Sequence, residues 1–178
     1  MPFIILDRDG VINFDSDHYI KNPDEWIAIP GSLEAIAQLN RAGYRVLVAT
    51  NQSGVARGYY SLETLDEIHE KMQRELAEVG GHVEEIFFCP HHPDEKCQCR
   101  KPQPGLFQNM AKKYQINLAD TFFVGDNLSD VQVAKVVGCK PLLVMTGKGA
   151  QMLEKNPELK TVKSFSNLAE AVDYILNV

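Results

Sequence analysis

The chain has 178 residues, 44% hydrophobic and 24% charged, the composition of an ordinary globular protein large enough to bury a core. These values exclude long disorder, a collagen-like repeat and a disulfide-stapled miniprotein, and no apolar run approaches the roughly 20 residues that span a bilayer. The formal net charge of −6 argues against a nucleic-acid or anionic-membrane partner, and any phosphate chemistry would have to overcome a repulsive background.

Short apolar runs alternate with amphipathic stretches, without repeats or a Ser/Gly linker, so residues 1–178 are expected to form one domain. Phe3-Ile4-Ile5-Leu6 reads as a short buried strand. The start MPFIILDRDG lacks a basic leader, and Asp7 and Asp9 interrupt its apolar run, so no signal peptide is expected. The expected compartment is the cytoplasm. Ser32 is a candidate cap for a helix with Leu33, Ile36 and Leu39 on one face, ended by Gly43. Val46-Leu47-Val48 is a second buried strand. Ser61 opens a longer helix with Leu65, Ile68, Met72, Leu76 and Val79 at spacings of three and four, closed by Gly80-Gly81.

Ile86-Phe87-Phe88 is a third strand, and Pro104 suits the first turn of a helix carrying Leu106, Met110 and Tyr114. Phe122-Phe123-Val124 is a fourth strand, followed by a helix through Val131, Ala134 and Val137. Leu142-Leu143-Val144 is a fifth. Thr146-Gly147-Lys148-Gly149 lacks the spacing of a phosphate-binding P-loop and reads as a turn, with Lys148 near a candidate site. A last helix carries Leu168, Val172 and Ile175. This alternation predicts an α/β domain with a mostly parallel central sheet flanked by helices, whose ligands bind at the carboxyl ends of the strands.

The chemistry-bearing residues fall at those ends. Asp7-Arg8-Asp9-Gly10-Val11 follows the first strand directly. Carboxylates at i and i+2 can share one crevice, one as nucleophile and the other as general acid/base, provided their repulsion is offset. A Mg²⁺ ion offsets it and neutralises phosphate charge as well. By itself the pair also reads as a solvated Asp-rich turn. Three further segments change that reading. Thr50-Asn51-Gln52 ends the second strand, Arg100-Lys101-Pro102 precedes the Pro104 helix, and Gly125-Asp126-Asn127-Leu128-Ser129-Asp130 follows the fourth strand.

Together, in this order, they supply a carboxylate nucleophile, an acid/base, a hydroxyl donor, a cation and a metal-binding acid. The set resembles the four motifs of the haloacid dehalogenase (HAD) superfamily of phosphohydrolases, with DRDGV matching the phosphatase form DxDG[TV]. The resemblance covers essentially the whole chain and implies a Rossmann-like fold. It implies that Asp7 attacks phosphorus to form an aspartyl-phosphate, and that Asp9 protonates the leaving oxygen and then activates water. It further implies that Thr50 and Lys101 hold the phosphoryl oxygens, and that Asp7, Asp126 and the main-chain carbonyl of Asp9 bind Mg²⁺. Asp130 is expected to brace Lys101 or the metal's surroundings rather than to bind metal itself.

Cys89-Pro90-His91-His92-Pro93 and Cys97-Gln98-Cys99 give the spacing C-x-H-x₅-C-x-C. In a chain expected in a reducing compartment, three thiolates and an imidazole point to a closed tetrahedral Zn²⁺ site of structural type. The spacing favours Cys89, His91, Cys97 and Cys99, with His92 as the alternative imidazole. A folded loop over 89–99 would aim Arg100 and Lys101 at the phosphate. Cys139, after Gly138, reads as a buried small apolar residue.

TNQSGVARG, CPHHP and CRKPQP narrow the resemblance to D-glycero-D-manno-heptose-1,7-bisphosphate 7-phosphatases, with histidinol-phosphate phosphatases of the same subgroup sharing the zinc loop. Between Asp9 and Ser32 there is room only for a hairpin-like flap, over about 10–30, and not for a cap domain. The family pattern implies substrate contacts from Asp15, Tyr19, Thr50, Asn51, Gln52, Ser53, Arg100 and Lys101. One position departs from it: Asn127 stands where heptose phosphatases often carry Lys. The resulting expectation is a Mg²⁺-dependent phosphatase acting on a sugar phosphate, monomeric because an open site needs no partner subunit. A histidinol-phosphate phosphatase and a non-catalytic zinc-stabilised binding module are the alternatives.

Overall fold

The computed structural model describes residues 1–178. Six strands form one sheet: β1 (Phe3–Leu6), β2 (Arg45–Asn51), β3 (Glu85–Cys89), β4 (Phe122–Gly125), β5 (Lys140–Val144) and β6 (Lys163–Phe165). Their order is β3-β2-β1-β4-β5-β6, and every pairing is parallel. The sequence predicts five of them. β6 escapes because it is a three-residue edge strand, largely exposed, with no apolar run to mark it.

The six helices are α1 (Ser32–Arg41), α2 (Leu62–Glu78), α3 (Gly105–Tyr114), α4 (Leu128–Val137), α5 (Gly149–Lys155) and α6 (Leu168–Asn177). Alternate strand residues send their side chains to opposite faces. Ile4, Leu6, Val46 and Val48 pack with Ile36, Met72 and Val172 from α1, α2 and α6. Ile5, Leu47 and Ala49 pack with Phe107, Met110 and Val133 from α3 and α4, and Cys139 is buried on that same face. The result is a helix–sheet–helix sandwich.

Local chemistry sets the helix starts. Ser61 accepts a hydrogen bond from the Thr64 N–H and caps α2, as its sequence predicts. Ser32 is not the cap of α1. Gly31, left-handed at φ 90°, takes that position, and Ser32 Oγ donates instead to the Val11 carbonyl at 2.8 Å. Pro104 sits at the N-cap of α3, one residue earlier than expected. The turn expected at Thr146–Gly149 runs into α5, a helix too short and polar to announce itself.

The register levels the ends of three strands. Leu6 lies opposite Val48 of β2 and Val124 of β4. Asp7, Thr50 and Asp126 therefore emerge along one edge. The chain order turns in opposite directions on either side of β1, which opens a crevice there.

Residues after Asp9 form the flap. Asn13 bridges antiparallel to Ala28, and the Phe14 N–H donates to the Ile27 carbonyl at 3.0 Å. The returning limb is anchored by Trp26, which is fully buried in the core. Lys71 Nζ of α2 donates to the carbonyls of Pro23 and Trp26, both at 2.8 Å. No helix is long and apolar enough to cross a membrane.

Candidate active site

A cavity of about 550 Å³ opens at the carboxyl edge of the sheet and collects the candidate residues of all four segments and the flap. Its walls carry six aspartates (Asp7, Asp9, Asp15, Asp17, Asp126, Asp130) against four cations (Arg57, Arg100, Lys101, Lys148).

Lys101 is the hub. It is 3% exposed, and its ammonium donates to Asp130 Oδ1 and the Ala49 carbonyl, both at 2.8 Å, and meets Asp7 Oδ1 at 3.0 Å. Burial opposes its charge, but Asp130 and Asp7 outweigh burial and hold its pKa above the ordinary lysine range. Its backbone is clamped as well. Asn51 Oδ1 accepts the Lys101 N–H at 3.0 Å, and Asn51 Nδ2 donates to the Lys101 carbonyl at 3.2 Å. Asn51 thus joins the end of β2 to the segment carrying the lysine.

Asp7 Oδ1 takes that lysine and the Arg8 N–H at 2.7 Å, which leaves Oδ2 with no protein donor. Asp130 uses Oδ1 for Lys101 and Oδ2 for the N–H groups of Asp126 and Asn127, at 3.1 and 3.2 Å. Both of its oxygens are engaged, the arrangement of a brace. Asp126 Oδ2 accepts the Lys148 N–H at 2.9 Å. Two glycines let this turn close on Asp126. A Cβ on Gly147, at φ 59°, would overlap Asp126 Oδ2 and meet Gly10 Cα at 2.5 Å.

The carboxylates of Asp7, Asp126 and Asp130 each place an oxygen within 4.8 Å of the others. One ammonium does not neutralise three buried carboxylates. Burial and then the Asp130 charge raise Asp7 well above the usual range, against the pull of Lys101. Burial and the same neighbour push Asp126 up to about 7. Hard oxygen donors carrying surplus negative charge fit Mg²⁺.

Asp9 is arranged differently. Its Oδ1 accepts from Arg8 Nε and Nη2 at 3.1 and 2.8 Å and from Asn13 Nδ2 at 2.9 Å. Its Oδ2 accepts from Gln52 Nε2 at 2.9 Å. Burial favours the protonated form, but the Arg8 charge and these hydrogen bonds prevail and hold Asp9 below the usual range. Gln52 Nε2 also reaches Thr50 Oγ1 at 2.9 Å, and the Tyr60 hydroxyl donates to Gln52 Oε1 at 2.6 Å.

The flap and neighbouring loops complete the rim. The Tyr19 ring packs at a tilt against Tyr59, with centroids 5.2 Å apart, and the Arg57 guanidinium lies 5.8 Å from the Tyr19 ring. Arg57 Nε contacts Ser53 Oγ at 3.4 Å, and Lys148 Nζ pairs with Asp15 at 3.5 Å. Arg100 Nη1 is buried without a hydrogen-bond partner, a donor in want of an acceptor. Arg57 was missed from sequence, although it lies inside the TNQSGVARG segment. Asn127 caps α4, its side chain accepting from the Ser129 N–H.

The cysteine loop gathers beside this cavity. Cys89 Sγ lies 3.4 Å from His91 Nδ1 and 3.5 Å from Cys97 Sγ. Cys99 Sγ lies 3.2 Å from His91 Nδ1 and 3.7 Å from Cys97 Sγ. A tetrahedral zinc with ordinary bond lengths needs ligand–ligand edges of about 3.5–3.8 Å, so the set fits with shifts of a few tenths of an ångström. Burial raises the Cys89 and Cys99 thiols. Burial also resists ionisation of Cys97, but hydrogen bonds from the Arg100 N–H and Cys89 bring it down to about 7. His92 lies outside the group, because its Nδ1 accepts the Asp94 N–H and caps a short 3₁₀ turn at Pro93–Glu95.

A family model for HAD-hydrolase-like proteins matches residues 98–171. The D-glycero-beta-D-manno-heptose-1,7-bisphosphate 7-phosphatase of Pseudomonas putida is 55% identical over 170 residues, spanning 95% of this chain and 96% of that one. The chain belongs to this phosphatase family. The Bordetella bronchiseptica relative of the same name is 50% identical over 99% of this chain and 98% of its own. A crystal structure of D,D-heptose 1,7-bisphosphate phosphatase from B. bronchiseptica, complexed with magnesium and phosphate, superimposes with a TM-score of 0.96 over 99% of both chains.

Membership makes the protein a phosphatase with the HAD Rossmann-like fold and favours the heptose reading over the histidinol-phosphate alternative. The non-catalytic alternative falls with it. The Asn127 departure does not remove the chain from the family.

Proposed function

We propose that the protein hydrolyses the C7 phosphate of D-glycero-β-D-manno-heptose 1,7-bisphosphate, a step toward nucleotide-activated heptose for surface polysaccharide. Relatives of 45–55% identity carry that name, including the β anomer. The observation that carries the reading is the crevice itself: a carboxylate with one free oxygen, a buried lysine beside it, and a second carboxylate held ionised two residues on.

In this reading Asp7 Oδ2 attacks phosphorus, a P–O bond to Asp7 forms, and the bond to the C7 oxygen breaks. The approaching phosphate is a like charge beside Asp9 and raises its affinity for a proton, which Asp9 takes up from solvent as the substrate binds. Asp9 gives that proton to the departing oxygen. Ionised again, it takes a proton from water as the water oxygen attacks phosphorus, which releases phosphate and restores Asp7. Thr50 and Lys101 hold the phosphoryl oxygens through both steps. Asp15, Tyr19, Asn51, Gln52, Ser53 and Arg100 contact the sugar and the distal phosphate, and the free Arg100 Nη1 suits the latter.

Asp7, Asp126 and the main-chain carbonyl of Asp9 hold Mg²⁺, which when bound supplies charge neutralisation to the phosphoryl group. Cys89, His91, Cys97 and Cys99 hold a structural Zn²⁺ that keeps the following Arg100 and Lys101 in place. The chain works as one cytoplasmic domain, with its flap over about 10–30, as a monomer. The test is a rate comparison with the β- and α-heptose bisphosphates and histidinol phosphate. The β-heptose bisphosphate should give the highest kcat/KM, and faster turnover of histidinol phosphate would overturn the assignment.

A further inference from the structure

Arg8 lies between the two aspartates, yet its side chain is completely buried. A guanidinium keeps its proton and has only donors, so each of its buried nitrogens needs an acceptor. Nε and Nη2 use Asp9 Oδ1. Nη1 meets His69 Nε2 at 3.1 Å. In that contact the histidine must accept, so its Nε2 carries the lone pair and the ring proton sits on Nδ1. His69 stands on the buried face of α2, between Leu65 and Met72, with its ring centroid 6.3 Å from that of Phe88. Burial and the Arg8 charge lower its pKa to about 3, consistent with a neutral ring.

The two oxygens of Asp9 are not equivalent. Oδ1 takes three donors, more than its two lone pairs serve well, whereas Oδ2 takes only Gln52 Nε2. Only Oδ2 has capacity left to exchange a proton. The guanidinium enforces this asymmetry, and His69 is its one hydrogen-bond partner besides Asp9.

We propose that His69 is a positioning residue: by accepting from Arg8 Nη1 it fixes the guanidinium that occupies Asp9 Oδ1, and so presents Asp9 Oδ2 as the proton-carrying atom. The inference rests on the reading of Asp9 as the acid/base. Without an acceptor at position 69, the buried Nη1 turns toward another partner and takes the Asp9 carboxylate with it. A misplacement on the scale of an ångström is worth about a hundredfold in rate.

The experiment compares His69→Leu, His69→Gln and Asp9→Asn in the full-length protein with Mg²⁺. His69→Leu should lower kcat about 10- to 100-fold and leave KM within about threefold, because His69 does not line the substrate cavity. His69→Gln, whose amide oxygen can accept from Arg8, should recover kcat to within about threefold of the parent. In the unsubstituted protein, ¹⁵N signals of the His69 ring should report a neutral, Nδ1-protonated tautomer. That signal and the Gln variant decide the matter even if the Leu variant does not fold. Normal kcat in His69→Leu, a Gln variant no better than Leu, a change confined to KM, or an Nε2-protonated ring would each overturn the proposal. An active Asp9→Asn would instead overturn the acid/base reading beneath it, whereas a dead Asp9→Asn beside a normal His69→Leu would remove only the role of His69.

Discussion

Replacing Asp126 by Asn should make the magnesium-free protein more stable while abolishing its activity. Asp126 is 3% exposed. Burial and Asp130 raise its carboxyl from 3.8 to about 7, with the Lys148 N–H opposing them. A carboxyl whose pKa is higher folded than unfolded binds more protons in the folded state. Its charge therefore destabilises the fold above pH 7, and the penalty is relieved as pH falls toward 4. Roughly three pH units at about 1.4 kcal/mol each set a ceiling near 4 kcal/mol. Asp7 and Asp130 share the repulsion and remain, so about 2 kcal/mol is the expected gain. For a chain of this length that raises Tm by about 4–8 °C. Asn retains an oxygen for the Lys148 N–H, so no hydrogen bond need be lost.

The assay is thermal unfolding in magnesium-free buffer at pH 8 and 5.5, without chelator so that the thiolate site is left intact. The gain should shrink by about half at the lower pH. Added Mg²⁺ should raise the parent's Tm at pH 8 and have little effect on the variant. An Asn variant less stable than its parent at pH 8, or a gain unchanged at pH 5.5, would refute the reasoning.

Asp7→Asn should abolish phosphate release and, because burial and Asp130 raise its carboxyl as they do that of Asp126, should not lower the Tm of the magnesium-free protein at pH 8; turnover above about 1% of the parent would exclude Asp7 as nucleophile. Cys97→Ser should lower the zinc content measured by metal analysis and reduce turnover through the following Arg100 and Lys101. A parent protein purified without chelators and free of zinc would overturn the loop's assignment. Gly147→Ala forces a Cβ onto Asp126 Oδ2 at a positive φ, so the Mg²⁺ needed for half-maximal activity should rise about 10- to 100-fold. An unchanged magnesium titration would show that the Gly10–Gly147 contact does not hold Asp126 in place.

The four candidate segments were legible because each is short and directly follows a strand or precedes a helix. Local spacing was therefore enough to identify them. The same holds for the cysteine loop, whose members lie within eleven positions. Arg8 was not legible as a buried group. Charged residues are ordinarily exposed, and only the partners supplied by Asp9 and His69 make its burial tolerable. His69 carried a signal that went unused, since a histidine spaced four after Leu65 and three before Met72 lies on the apolar face. The pairing of Lys148 with Asp15, and of Arg57 with Tyr19, joins loops distant in sequence and leaves no periodic trace. β6 and α5 were missed because short, polar edge elements are specified by their neighbours rather than by their own pattern.

The strand order has a consequence for the chain during its synthesis. β1 is made first, but its neighbour on one side, β4, arrives only after two further strands and their helices. Until then β1 keeps an unpaired edge, and Asp7 lacks Asp126 and Asp130, which follow β4. On the proposed mechanism, a nascent chain that already displays Asp7 is thus chemically silent. Catalysis switches on only when the central strand gains its second partner, so regain of turnover after denaturation is a stringent measure of complete refolding.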